Sequence, residues 1–220
     1  MAYEKFNILR STAVPLPIEN IDTDQIIPAR FLKAVERVGF GDNLFRDWRY
    51  TQDGIPKKEF VLNNTLYKGK ILVGGKNFGS GSSREHAAWA IYDYGFRSVI
   101  SSFFADIFKN NCLNIGVLPV QVSESFLNKI FNTTKSDPES NFEINLISQT
   151  VSIIGTNYVE SFKINPYKKQ NLLNGYDDID YLVNLKNQIS DFEFVYSSVL
   201  KTVIIKTTIT KSIHSNSTEY

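Results

Sequence analysis

Short apolar runs broken by polar turns set the rhythm of this chain. Residues 71–73 (Ile-Leu-Val) form a compact, β-branched run of the kind that fills a buried strand, and it stops at Gly74-Gly75. Residues 98–102 and 116–120 read as two more short strands. Between them the period shifts from two to a helical one. Ala87, Ala88, Ile91 and Tyr94 recur at helical spacing, with Gly95 placed as the terminating residue. Further helices are predicted over 103–111 and 123–131. Residues 5–18 read as an early strand ending in a proline-broken turn. Residues 142–147 and 151–154 predict a hairpin across Ser148-Gln149-Thr150, with another strand at 159–164. Residues 177–196 read as helix, and its apolar positions Ile179, Leu182, Val183 and Ile189 are read as packing residues. Alternating strands and helices predict an α/β layered domain, with the glycine loop after residue 73 at a strand end, where ligands usually bind. Residues 201–220 differ in composition, dominated by Thr, Ile, Lys and Ser, and read as an edge strand or a tail.

Three polar stretches interrupt this pattern. Asn20 to Asp24 is a loop with two acids and a threonine, which turn chemistry alone can explain. Residues 28–38 predict a short helical segment followed by Gly39 and Gly41. It carries Arg30, Lys33 and Arg37, the last two four apart on one face, and its plain reading is a solvated basic face. Residues 42–69 are rich in turn formers, with Trp48 and Tyr50 as anchors to the core or to a partner.

Composition narrows the options. A chain of 220 residues, 42% apolar, is long enough to bury a sizeable core. The formal net charge of +1 gives no global field toward nucleic acid or a membrane surface. The sequence has no apolar run of transmembrane length and no basic-then-apolar leader, so a cytoplasmic protein is expected. One cysteine, Cys112, and two histidines, His86 and His214, cannot supply a Cys₄, Cys₂His₂ or three-His site. Any iron–sulfur chemistry therefore needs ligands from another chain. Cys112 is expected to be a small buried apolar residue.

The densest chemistry lies at 71–88. The strand and glycine loop lead into Ser82-Ser83-Arg84-Glu85, where Ser82 and Glu85 have capping-box spacing, so the helix is expected to start on Ser82. A helix N-terminus with two hydroxyls and a guanidinium on one turn suits an anion. Three readings stay open on spacing. Ser82 is only a cap and Arg84 a solvated residue; the loop holds a nucleotide; or a serine oxygen serves as base or nucleophile beside Arg84. The nucleotide reading fits poorly, since Arg84 stands where the dinucleotide fingerprint needs glycine and no Gly-Lys-Ser/Thr ending is present. No G-x-S-x-G elbow argues for an ordinary hydrolase.

The stretch Asn77-Phe-Gly-Ser-Gly-Ser-Ser-Arg-Glu-His-Ala87 resembles the signature of the aconitase superfamily's swivelling domain. Asn20-Ile-Asp-Thr-Asp-Gln-Ile-Ile-Pro28, Gly39-Phe-Gly41 and Leu44-Phe-Arg-Asp-Trp-Arg-Tyr50 resemble, more narrowly, the small subunits of bacterial 3-isopropylmalate dehydratases. The likeness runs over residues 1–200 and gives no guidance on 201–220. It implies a layered β/β/α swivelling domain. It also implies a hydro-lyase of leucine biosynthesis that isomerises 2-isopropylmalate to 3-isopropylmalate by dehydration and rehydration. The chain would act as a heterodimer or heterotetramer with a large subunit carrying a [4Fe-4S] cluster, the Lewis acid for the leaving hydroxyl, and would bind no metal itself. The substrate is a small dicarboxylate. By the same likeness Ser82, as alkoxide, is the base and Arg84 its electrostatic partner. Ser83, Asp24, Lys33 and Arg37 are candidates to hold substrate, with Arg37 the best match by spacing and Arg30 and Lys33 its rivals. Related dehydratases of homoaconitate, citraconate or methylmalate, and a non-catalytic anion-binding module, are the alternatives.

Overall fold

Strands as short and apolar as residues 71–73 are stable only where both faces are covered, and that requirement dictates the architecture. In a computed structural model describing residues 3–33 and 38–197, the first elements are β1 (Ile8–Ser11), β2 (Ala13–Leu16), α1 (Thr23–Ile26), α2 (Arg46–Arg49) and β3 (Ile71–Gly74). Then come α3 (Glu85–Tyr94), β4 (Ser98–Ser101), α4 (Asp106–Asn114), β5 (Leu118–Gln121) and α5 (Glu124–Ser136). The chain continues through β6 (Phe142–Asn145), β7 (Thr150–Ile153), β8 (Val159–Ser161), α6 (Pro166–Asn174) and α7 (Asp178–Asn184). Two units are distinguished, Met1–Asp177 and Asp178–Tyr220.

Within the first unit, β2-β3-β4-β5 form a parallel sheet in that order, and β1-β6-β7-β8 an antiparallel one. Side chains alternate across a strand, so each parallel strand feeds two cores. Leu72, Val99, Val14 and Leu16 join Ala87, Ala88 and Ile91 of α3 and Phe108 and Cys112 of α4. Ile71, Val73, Ile100 and Ala13 join Phe126, Leu127 and Ile130 of α5 and the inner face of the antiparallel sheet, Phe142, Ile144, Val151 and Ile153. The layers are therefore helices, parallel sheet, then α5 with the second sheet, as the β/β/α expectation states. Cys112 is fully buried, and burial pushes its thiol pKa up.

The expected strand over 5–18 is two strands, one in each sheet. Ser11 pairs with Phe142 and Ala13 with Ile71, so the chain changes sheets at Thr12, whose hydroxyl donates to Lys68 O. Pro15 is tolerated because β2 is an edge strand. Helix α4 begins three residues later than expected. Residues 103–105 bridge back to Phe78 instead, with Phe78 N–H donating to Phe103 O (3.0 Å) and Ala105 N–H to Phe78 O (3.1 Å).

The excursion over 42–69 is anchored as Trp48 suggests: its ring stacks on buried Phe45 at 5.5 Å between centroids. Arg49, within the Leu44–Tyr50 stretch, is the buried cation of this region. It donates to the carbonyls of Gly41, Asp42 and Leu44 at 3.3–3.4 Å and lies over the Tyr94 ring. In the second unit the described residues are helical, over Asp178–Asn184 and 186–197. Ile179, Leu182, Val183 and Ile189 are exposed, so they are not the packing residues expected: the described part of that unit is helix alone and offers them no facing surface. The tail over 201–220 lies outside the described residues.

One glycine tests this packing directly. At Gly79 φ is +78°, and an added Cβ would sit 2.1 Å from the Phe108 ring. Gly79→Ala combines strain with a clash in the core, and is expected to lower stability by about 1–3 kcal/mol, read as a shifted denaturant midpoint at constant slope.

Candidate active site

The parallel strands deliver their loops to one edge, and two of those loops lie side by side. After β2 the chain runs through Ile18 to Thr23; after β3 it runs through Gly75 to Arg84. Backbone bonds join them: Gly75 N–H to Ile18 O (3.1 Å), Asn20 N–H to Lys76 O (2.8 Å), Gly79 N–H to Ile21 O (2.7 Å) and Thr23 N–H to Ser80 O (2.9 Å). The Thr23 hydroxyl adds a bond to Ser82 O at 2.7 Å. Thr23 is buried, and sequence reading passed over it as a turn residue. Asp22 was passed over too. It caps α1, accepting from Gln25 N–H (2.8 Å) while Gln25 Oε1 accepts from Asp22 N–H (2.9 Å). The Asp22-x-x-Gln25 spacing carried that signal.

At the second loop the structure corrects the sequence. Helix α3 starts at Glu85 with Arg84 as its N-cap and no side-chain cap bond, so Ser82 is not the cap and the Ser82–Glu85 capping box does not form. The bond from Thr23 to Ser82 O and the left-handed Gly81 hold the chain outside the helix until Arg84. Ser82 and Ser83 are exposed, and among the described residues neither hydroxyl has a hydrogen-bond partner. The amides of Ser83 and Arg84 likewise have no acceptor among the described residues.

The Arg84 side chain turns back onto α1. Its Nη1 donates to Asp24 Oδ1 and to Ile27 O (3.2 Å), and its Nη2 to Asp24 Oδ2 (2.5 Å). The pair is asymmetric in burial: Arg84 is 11% exposed and Asp24 54%. Hydrogen bonds from Arg84 hold the Asp24 carboxyl below its ordinary range, against some desolvation. Asp24, Arg84, Ser82 and Ser83 are thus brought together. Lys33 is exposed in the turn after the 3-10 helix Ala29–Phe31 and makes no bond to these residues. Arg30 is taken up by Asp47. Arg37 lies outside the described residues. A cleft of about 670 Å³ lined by Arg30, Arg46, Tyr50 and Lys57 includes none of the four grouped residues.

Comparison with known proteins decides the family. Residues 3–125 match the aconitase C-terminal domain. The chain is 62% identical over 190 residues to the 3-isopropylmalate dehydratase small subunit of Cytophaga hutchinsonii, covering 86% of this chain and 94% of that one. It is 60% identical over 191 residues to the subunit of the same name from Azobacteroides pseudotrichonymphae, covering 86% and 97%. The chain belongs to the 3-isopropylmalate dehydratase small subunits. The crystal structure of a 3-isopropylmalate dehydratase from Methanocaldococcus jannaschii has the same fold, with a TM-score of 0.61 and 26% identity, covering 84% of this chain and 98% of that one.

Membership in this family raises the question of an iron–sulfur cluster. Among the described residues no group of three or more His, Cys, Asp or Glu is placed to hold a metal, and Cys112 is sealed in the core. The residues present do not fit such a cluster. No helix of the described residues is long and apolar enough to cross a membrane.

Two outcomes follow from the geometry. Because Ser82 caps nothing, Ser82→Ala is expected to leave stability within about 0.5 kcal/mol of wild type, where a lost cap typically costs about 1 kcal/mol; thermal melting distinguishes the two. The Asp24 carboxyl is expected to titrate below its ordinary value of 3.8 in a carbon-detected NMR series, and Arg84→Ala to return it toward that value. Since the folded pKa is depressed, the pair stabilises the fold above about pH 4 and is lost as pH falls through the folded value.

Proposed function

We propose that this chain supplies the proton-abstracting half of a two-chain hydro-lyase that interconverts 2-isopropylmalate and 3-isopropylmalate in the cytoplasm. Small subunits of the same name at 60–62% identity support the substrate. The observation that carries the chemistry is the Ser82–Arg84 loop. Its backbone is locked to the neighbouring loop, while the exposed Ser82 and Ser83 hydroxyls and the Ser83 and Arg84 amides have no partner among the described residues.

The reaction removes a proton from a carbon beside a carboxylate and hydroxide from the neighbouring carbon, together one water, and returns that water with the opposite placement. Ser82 Oγ takes the proton. A serine hydroxyl is far too weak an acid to ionise near neutrality in water, so its oxyanion needs donors and a dry surround. The amides of Ser83 and Arg84 and the Arg84 guanidinium are placed on the same turn to supply the donors. Ser83 and Arg84 also offer hydroxyl, amide and guanidinium groups to a substrate carboxylate. Lys33 or Arg37, on the segment that precedes Gly39, is the candidate cation for the second carboxylate. The dry surround is the part the described residues do not make, because Ser82 and Ser83 are exposed. A large subunit would close the site and would hold the [4Fe-4S] cluster, which would supply Lewis-acid chemistry that the residues of this chain do not.

The test mixes the purified chain anaerobically with a cluster-loaded large subunit and follows the unsaturated diacid formed from 2-isopropylmalate, each chain alone serving as control. Turnover only in the mixture is the expected result. Assembly without turnover moves the substrate to another 2-hydroxy acid, such as homoaconitate, citraconate or methylmalate. No assembly defeats the two-chain reading. In the active mixture Arg84→Ala is expected to lose on the order of 10²–10³ in kcat, the typical cost of one preorganised donor. Retained activity removes Arg84 from the mechanism.

A further inference from the structure

The proposed site leaves Asp24 without a role that its chemistry supports. As a direct ligand for a dicarboxylate it carries the wrong sign, and both its oxygens are already taken by Arg84. As a proton donor it is badly placed as well, since the guanidinium keeps it ionised. The donors of Arg84 give it a different part. A guanidinium has five N–H groups. Two on Nη1 go to Asp24 Oδ1 and Ile27 O, and one on Nη2 goes to Asp24 Oδ2. The remaining Nη2–H and Nε–H have no acceptor among the described residues. They lie on the same edge of the guanidinium plane and form a second fork matched to two carboxylate oxygens. Arg84 is not sealed off: 11% of its side-chain surface stays exposed.

We infer that Asp24 is the positioning residue for Arg84, clamping the end of the guanidinium so that its Nε/Nη2 edge is presented to a substrate carboxylate. The clamp is itself held. The Asp22–Gln25 capping box fixes the start of α1, the helix that carries Asp24. The Ile27 carbonyl, on the residue that ends α1, completes the grip. Arg84 is thereby pinned to the loop that also holds Ser82 through Thr23. The orientation of the cation and the position of the base thus share one support. The substrate named here rests on the proposed reaction; the clamp does not.

Two measurements on the same variants test this. In the full chain with nitrogen-15-labelled arginine, rotation of the Arg84 Nη groups is expected to be restricted in wild type and released in Asp24→Asn. Free rotation in wild type overturns the clamp. In the assembled two-chain enzyme, Asp24→Asn is expected to lower kcat/KM about tenfold or more, chiefly through KM, as befits a weakened charged hydrogen-bond pair. Asp24→Glu should recover part of the loss. In an Arg84→Lys background, where the fork is gone, Asp24→Asn is expected to change kcat/KM less than twofold. A loss that persists undiminished there shows Asp24 acting on substrate directly and overturns the inference. An unchanged kcat/KM in Asp24→Asn alone does so as well. Restricted rotation in a mixture that turns over no isopropylmalate leaves the clamp standing and defeats the reaction instead.

Discussion

The carboxyl edge of the parallel sheet depends on how closely the loop after β2 approaches the loop after β3. A Cβ on Gly75 would lie 2.4 Å from Ile18 O, so at that crossing the two backbones touch with no room for a side chain. The contact turns two loops into a ladder of backbone bonds from Ile18 to Thr23, in effect an irregular extension of the strand pairing beyond the sheet. The glycines of this segment are therefore read as packing devices. They let the loops meet and let Phe78 and Phe108 seal the core beneath, while the chemistry is left to the residues that follow. A loop so tied can hold Ser82 and Ser83 still although both are exposed, and stillness without burial is what a half-site awaiting a second surface requires.

Charge is sorted around that ladder by pairing. Asp24 takes Arg84 on one side of residues 27–31, and Asp47 takes Arg30 on the other. Both acids are held below the ordinary carboxylate range by their arginines. Both pairs keep an exposed member, so neither carries much of the fold's stability. Their value is orientation. Arg49 shows the contrasting use of a guanidinium: buried, without an acid partner among the described residues, and spent on main-chain carbonyls of the irregular turn at 41–44.

The layered class, the strands and the helices that cover the parallel sheet were legible because apolar runs this short can be stable only in a doubly covered sheet; the helices α1, α2 and α6 were not. What sequence could not show was where local rules yield to tertiary contacts. Ser82 has ideal capping spacing, yet the loop ladder and the Thr23 bond pull it out of the helix, and Arg84 takes the cap position. Residues 103–105 have helical composition, but the bridge to Phe78 claims their backbone groups first. Thr12 gives no sign that the chain passes from one sheet to the other there. The Asp22–Gln25 box was legible and went unread, because Asp in a loop so often serves a turn. At the site, residue types were legible and partnerships were not: no spacing rule relates Asp24 to Arg84, sixty residues apart.

That partnership also explains why the chain needs a companion. An arginine clamped end-on by an ionised carboxylate is a stable, solvated arrangement in this chain alone, and a serine beside it is an ordinary hydroxyl. Neither is yet reactive. Excluding water raises the worth of every fixed donor at the loop, because charge interactions strengthen as the local dielectric falls. The same exclusion penalises any cation lacking its counter-ion. Asp24 meets that penalty before the substrate arrives, so closure of a second surface over residues 82–84 buries a neutralised pair in place of a bare guanidinium. Under the proposed reaction, the substrate carboxylate adds its charge to the edge that the inferred clamp orients. On the proposed reading, the Asp24–Arg84 pair is what allows a dry site to be assembled from this chain and a second surface.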